Sequence, residues 1–247
     1  MHSIRISKGI ALMLPEWLHF LFNPALLNRY GLKFISGFLI TFELVFIACS
    51  LGFILGMLIT FARLLNNKFL RYFANTYVYF FRGSPLLAQL FLFYYGLGSM
   101  GSFWQQIGLW WFFQNAWYCC IFIFALNSAA YQSEIFKGSF LSVTARQREA
   151  SKALGLSSST TFFRIILPQA MVLALRPLGN EFILMIKSSA IASLVTIYDL
   201  MGIAKLTYSR TFDFQVYVWA ALIYLLIVEL IHRFIVVIER HLTRYLR

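Results

Sequence analysis

The sequence predicts an all-α integral membrane protein with five spans, on three observations. Of 247 residues, 60% are hydrophobic and 12% charged, with 27 Phe and 13 Tyr, far more apolar than a soluble domain. The apolar residues fall in five runs, each long enough to cross about 30 Å of hydrocarbon as a helix of about 20 residues. The formal charge of +12 is gathered between these runs. A nucleic-acid-binding surface needs a soluble basic face, so nucleic acid is excluded as a partner and the lipid bilayer is the expected surroundings.

Residues 1–36 read as an extension ahead of the first span. Arg5 and Lys8 precede an apolar stretch from Gly9 to Phe22 that resembles the start of a signal peptide. Pro15 and Glu16 interrupt it, and no small-residue cleavage site follows. The expected structure is an interfacial helix on the membrane surface, with a short extra span as the alternative.

From residue 37 onward, one transmembrane domain (37–247) is expected. Its spans run from Gly37 to Ala62, Ala74 to Leu97, Ala116 to Phe140, Ala170 to Ile197 and Phe214 to Ile238. No repeat period and no linker divides them. Arg146, Arg148, Lys152 and Arg164 lie between the third and fourth spans, whereas Gly98 to Asn115 has no Lys or Arg. The first loop is therefore assigned to the cytoplasm and the second to the outside. Arg63, Lys68 and Arg71, and Arg240, Arg244 and Arg247, fall on the cytoplasmic side with it. Five spans then put the N-terminus outside and the C-terminus in the cytoplasm, against the counter-signal of Arg5, Lys8, Arg29 and Lys33.

Cys49, Cys119 and Cys120 all lie in apolar runs without metal-ligand spacing, and read as small core-filling residues. His2, His19, His232 and His241 sit near the ends of the chain, where interfacial positions account for them, and no metal site is expected.

The cytoplasmic loop at 141–169 carries the most specific signal. Residues 149 to 168 read EASKALGLSSSTTFFRIILP. Glu149 to Leu154 are helix formers, Gly155 is a stop, and Ser157 to Thr161 offer cap and turn chemistry. Phe162 to Leu167 resume an apolar run, and Pro168 suits the first turn of a helix. A compact helix–turn–helix knob is expected. As a plain basic loop, the same residues would offer only an i,i+3 pair of Glu149 with Lys152.

This stretch resembles the EAA loop of ABC importer permeases, whose pattern is E-A-A, three residues, G, nine residues, I-x-L-P. Glu149, Ala150, Gly155, Ile165, Leu167 and Pro168 fall in register, and Ser151 replaces the second alanine. FRGSPLLAQLFLFYYG at 81–96, NSAAYQSEIFKG at 127–138 and NEFILMIKSSAIAS at 180–193 are similar to the polar amino acid branch, which serves histidine, glutamine, arginine and opine uptake. The resemblance implies the five-helix permease core of type I ABC importers, in the bacterial inner membrane. It implies ATP-driven, binding-protein-dependent import of polar amino acids, basic ones among them. The implied partners are two ABC ATPase subunits, a second permease subunit (the same chain or a homologue) and an extracytoplasmic substrate-binding protein. No GxxxxGK[ST] loop occurs, so no cofactor is expected on this chain, and ATP and Mg belong to the ATPase. In that arrangement Glu149 would meet a cation of the ATPase, and Gly155 would allow close backbone approach.

Polar residues inside spans need partners or water, because a buried charge costs at least about 2.5 kcal/mol there. Arg82 and Gln89 on the second span, and Asn127 and Glu134 on the third, repeat a seven-residue spacing that stacks each pair on one helix face. With Glu181 and Lys187 on the fourth span, they are the candidates for a hydrated substrate pathway. Helix-to-helix hydrogen bonding accounts for each of them equally well, and snorkelling accounts for Arg82. Glu43 and Glu229 read as packing or interface residues. Two other functions share this apolar, basic-edged composition. An ion-gradient-driven secondary transporter would show internal repeats and more spans. A membrane-embedded enzyme would need a catalytic cluster, and no HExxH or GxSxG pattern occurs.

Overall fold

The computed structural model describes residues 23–243, without the side chains of 144–146 and 243. Among the described residues, eight helical segments follow one another: α1 (Pro24–Leu64), α2 (Lys68–Gly83), α3 (Leu86–Gln106), α4 (Trp110–Phe113), α5 (Ala116–Ala153), α6 (Ser158–Val195), α7 (Leu200–Thr211) and α8 (Gln215–Thr243). No strand occurs among the described residues. Five of the segments are long and apolar enough to cross a membrane, namely α1, α3, α5, α6 and α8.

The boundaries differ from the expected ones in physically interpretable ways. The first span begins at Pro24, not Gly37, because Pro suits the first helical position and the Asn23 carboxamide accepts the Ala25 N–H at 3.0 Å. Its 41 residues reach about 60 Å, roughly twice the hydrocarbon thickness. The boundary at 36/37 thus falls inside a continuous helix, while the expected surface helix between Gly9 and Phe22 lies outside the described residues. The expected second span from Ala74 to Leu97 is broken. Pro85 holds Ser84 extended (φ −109°, ψ 147°), so one helix ends at Gly83 and another starts at Leu86. The expected external loop from Gly98 is helical as far as Gln106. There Trp104 donates to the Leu97 carbonyl at 2.7 Å and stacks on Phe113 at 3.9 Å.

Contacts divide the chain into two units. In the unit of residues 44–189 and 228–247, α5 is the central element. Gly52 and Gly56 of α1 press on it: a Cβ at Gly52 would lie 3.0 Å from Ser128 Cβ, and one at Gly56 3.0 Å from the Ala129 carbonyl oxygen. Two small residues four apart let helices approach this closely where lipid supplies no hydrophobic drive. Further along α5, Phe136, Phe140 and Val143 pack with Ile166, Ala170 and Ala174 of α6.

In the unit of residues 23–43 and 190–227, the first turns of α1 meet α7 and α8. A Cβ at Gly37 would lie 3.0 Å from the Asp199 carbonyl oxygen, and the Thr41 hydroxyl accepts the Leu200 N–H at 3.0 Å. Phe34 and Trp219 meet edge to face at 5.7 Å. Asp199 caps α7, its Oδ1 accepting the Gly202 N–H at 2.8 Å. Burial pushes its carboxyl up to about 7, against the lowering effect of the Gly202 and Met201 N–H groups.

Candidate functional site

The break between α2 and α3 builds the site. Ser84 and Pro85 leave backbone acceptors that a continuous helix would have used, and side chains of α3 and α5 satisfy them. Gln89 Nε2 donates to the Phe81 carbonyl at 3.0 Å, the Ser84 carbonyl at 3.1 Å and Ser84 Oγ at 2.8 Å. Asn127 Nδ2 donates to the Phe81 carbonyl at 3.0 Å and to Gln89 Oε1 at 3.1 Å. Both amides are buried, and each holds the shape of the break.

Beside the break lies a cavity of ≈ 420 Å³, lined by Arg82, Ser84, Asn127, Tyr131, Glu181 and Ser188 among others. Such a volume lies within the usual range of about 300–1,000 Å³ for small-molecule sites. Its wall offers both signs of charge. Arg82 is exposed and lies over the Tyr131 ring, 5.4 Å from the centroid. Glu181 is buried.

Arg82 is tied back to a second layer of charge. Glu134 lies 3.5 Å from Arg82 and accepts from Arg63 at 2.5 Å. Arg63 is almost wholly buried and donates further to Asn75 Oδ1 at 2.8 Å and Ser133 Oγ at 3.2 Å. A buried guanidinium is tolerated only when matched in this way. Arg63 is the residue that sequence reasoning missed as part of the site. It stands one residue beyond the expected end of the first span and counted only as a flanking cation. Its signal was its position against Glu134, which becomes visible only once Gly52 and Gly56 set α1 against α5.

The structure thus gathers Arg82, Asn127 and Glu181 on one cavity wall, with Gln89 and Glu134 bonded to two of them. Lys187 stands apart: it is exposed and absent from the cavity lining, consistent with its six-residue offset from Glu181.

The loop residues occupy a helix–turn–helix at the far end of α5. Glu149 and Ala150 are exposed on the last turns of α5. Gly155 ends the helix with φ +69°, the left-handed conformation that a side chain would disfavour, and nothing lies within 4 Å of where its Cβ would be. Ser157 caps the next helix, its hydroxyl accepting the Thr160 N–H at 3.2 Å. Residues Thr161–Ile166 form a wide turn in which the Leu167 N–H reaches the Phe162 carbonyl, so the missing N–H of Pro168 is accommodated without a kink into another element. Ile165 and Leu167 are half-buried, and Pro168 is exposed.

Residues 49–244 match the family model described as binding-protein-dependent transport system inner membrane component. The nopaline transport system permease protein NocM of Agrobacterium fabrum is 39% identical over 208 residues, covering 84% of this chain and 86% of that protein. The arginine ABC transporter permease protein ArtM of Haemophilus influenzae is 35% identical over 201 residues, covering 81% and 88%. Among solved structures, an amino acid ABC transporter with histidines superposes with a TM-score of 0.78 at 32% identity, covering 87% of this chain and 96% of that one. The MetNI methionine ABC transporter in an inward-facing conformation shares the fold at a TM-score of 0.62 and 19% identity, covering 93% and 100%. With five spans, the type I importer permease fold and a family match over most of its length, the chain belongs to the binding-protein-dependent transport system inner membrane components.

Proposed function

We propose that this chain is the permease subunit through which an ATP-driven importer moves polar amino acids, basic ones included, across the bacterial inner membrane. The observation that carries the reading is the cavity of ≈ 420 Å³ bounded by Arg82 and Glu181. An amino acid brings a carboxylate and an ammonium, and this wall offers a guanidinium and a carboxylate in return. Relatives named for nopaline, octopine and arginine transport support the substrate class.

Five spans are too few to enclose a path, so a second permease subunit, the same chain or a homologue, completes it. Two ATPase subunits use ATP and Mg, and an extracytoplasmic binding protein delivers the substrate. Glu149, Ala150, Gly155, Ile165, Leu167 and Pro168 form the surface on which the ATPase docks. The basic loop sets that surface in the cytoplasm, with the N-terminus outside and the C-terminus inside.

The test is uptake of labelled arginine into proteoliposomes that hold the permease with its ATPase and binding protein. Arg82→Ala and Glu181→Gln are each expected to lower the initial rate at least tenfold, as loss of a charge-assisted hydrogen bond predicts. Full rates in both variants would remove this cavity from the pathway. Uptake that ran on an ion gradient without the ATPase would sink the importer reading itself.

A further inference from the structure

We propose that the loop after α5 carries a socket for an acidic side chain of the ATPase subunit, formed by Arg148, Lys152, Ser158 and Thr161. The inference rests on the docking role proposed above and adds a specific second contact to it.

A cavity of ≈ 350 Å³ opens between the end of α5 and the start of α6, with Phe162 and Ile166 among its apolar lining. Arg148 and Lys152 both line it. Spaced i,i+4, they share one helix face, and two like charges there repel unless an anion lies between them. Among the described residues neither has an ion-pair partner, and Glu149 beside them is exposed and equally unpaired. Opposite the cations stand two hydroxyls. Thr161 is the more informative: it is 6% exposed, lines the cavity, and among the described residues its hydroxyl has no hydrogen-bond partner.

Two cations and a waiting hydroxyl over an apolar lining fit a carboxylate with a short apolar stem, as Asp and Glu present. The loop then offers its partner both signs of charge. Glu149 reaches outward to a cation, and the socket receives an anion. Two such contacts fix an orientation that one alone would leave free to rotate.

The experiment measures assembly of the full permease, in lipid nanodiscs, with its purified ATPase subunit. Arg148→Glu with Lys152→Glu is expected to weaken assembly at least tenfold and to flatten its dependence on salt. Arg148→Lys should assemble as wild type, and Thr161→Val should fall between. Gly155→Trp is measured alongside as a test of docking alone. Wild-type assembly of the charge-reversed chain, with Gly155→Trp assembly lost, overturns the socket and leaves the docking surface standing. Unchanged assembly in both overturns the docking surface as well. If charge reversal weakens assembly only in anionic phosphatidylglycerol discs and not in phosphatidylcholine discs, the cations serve a lipid headgroup and the socket is overturned.

Discussion

The helix break at Ser84 and the loop at Glu149–Pro168 draw on similar polar residues, yet they treat them in opposite ways. Around the break, Gln89, Asn127, Arg63 and Glu134 are partnered within the chain, by carbonyls or by each other. On the loop, Glu149, Arg148 and Lys152 have no ion-pair partner among the described residues. The difference follows from the surroundings. In hydrocarbon every polar group must be satisfied from within or from a wet cavity, whereas beyond the membrane a group can wait for another polypeptide. The break is a closed arrangement that leaves Arg82 and Glu181 facing a cavity, and the loop is an open one.

The largest expected effect comes from opening the closed arrangement. Glu134→Ala removes the carboxylate partner of the buried Arg63 guanidinium and leaves it Asn75 and Ser133; with Glu134 36% exposed, the cost falls below the value of about 3–5 kcal/mol for a fully buried pair. Folded protein recovered in detergent should fall sharply, while Glu134→Gln, which keeps an acceptor, should fall less. If Glu134→Ala unfolded at the wild-type temperature, the contrast between the two regions would collapse.

The next effect is on the loop. Gly155→Val forces a β-branched residue into φ +69°, a local strain of about 1–2 kcal/mol that leaves the spans untouched. Membrane insertion should be normal, while uptake per ATP hydrolysed should drop several-fold. Coupled transport at full rate would show that the loop does not carry force.

The smallest effect lies at Asp199, outside both regions. Its folded-state carboxyl titrates at about 7, above the ordinary value of 3.8, because burial disfavours the charge. The protonated form is therefore the one the fold prefers. The stabilising contribution is complete below about pH 4 and is lost as pH rises through about 7. The wild-type melting temperature should decline between about pH 4 and pH 7 and level off above that, and Asp199→Asn should flatten the decline. An equal slope in both chains would assign the pH dependence elsewhere.

Much of the fold was legible because membrane spans and turn chemistry are local. Five apolar runs, the Gly155 stop and the Ser157 cap each act over a few residues; the stop and the cap appear where the sequence places them, and five spans are present, with the second displaced to Leu86–Gln106. The start of the first helix at Pro24 was less legible. Arg29 and Lys33 lower the apolar signal of a segment that the Asn23 cap and packing against α7 and α8 hold helical. The stacked spacing of Arg82 with Gln89 and of Asn127 with Glu134 was readable, but not the division of labour within each pair. Gln89 and Asn127 hold backbone, Glu134 holds Arg63, and Arg82 faces the cavity.

By itself the sequence determined that the chain lives in a membrane, crosses it five times and presents a knob between its third and fourth spans. Hydropathy, capping and charge between spans suffice for these, since each depends on neighbours in the chain. The tertiary structure alone decided that Arg63 pairs with Glu134, that Lys187 does not line the cavity, and that Arg82 and Glu181 bound one cavity. Those outcomes depend on which helix faces meet, and Gly52 and Gly56 set that by letting α1 press against α5 across about seventy residues of sequence.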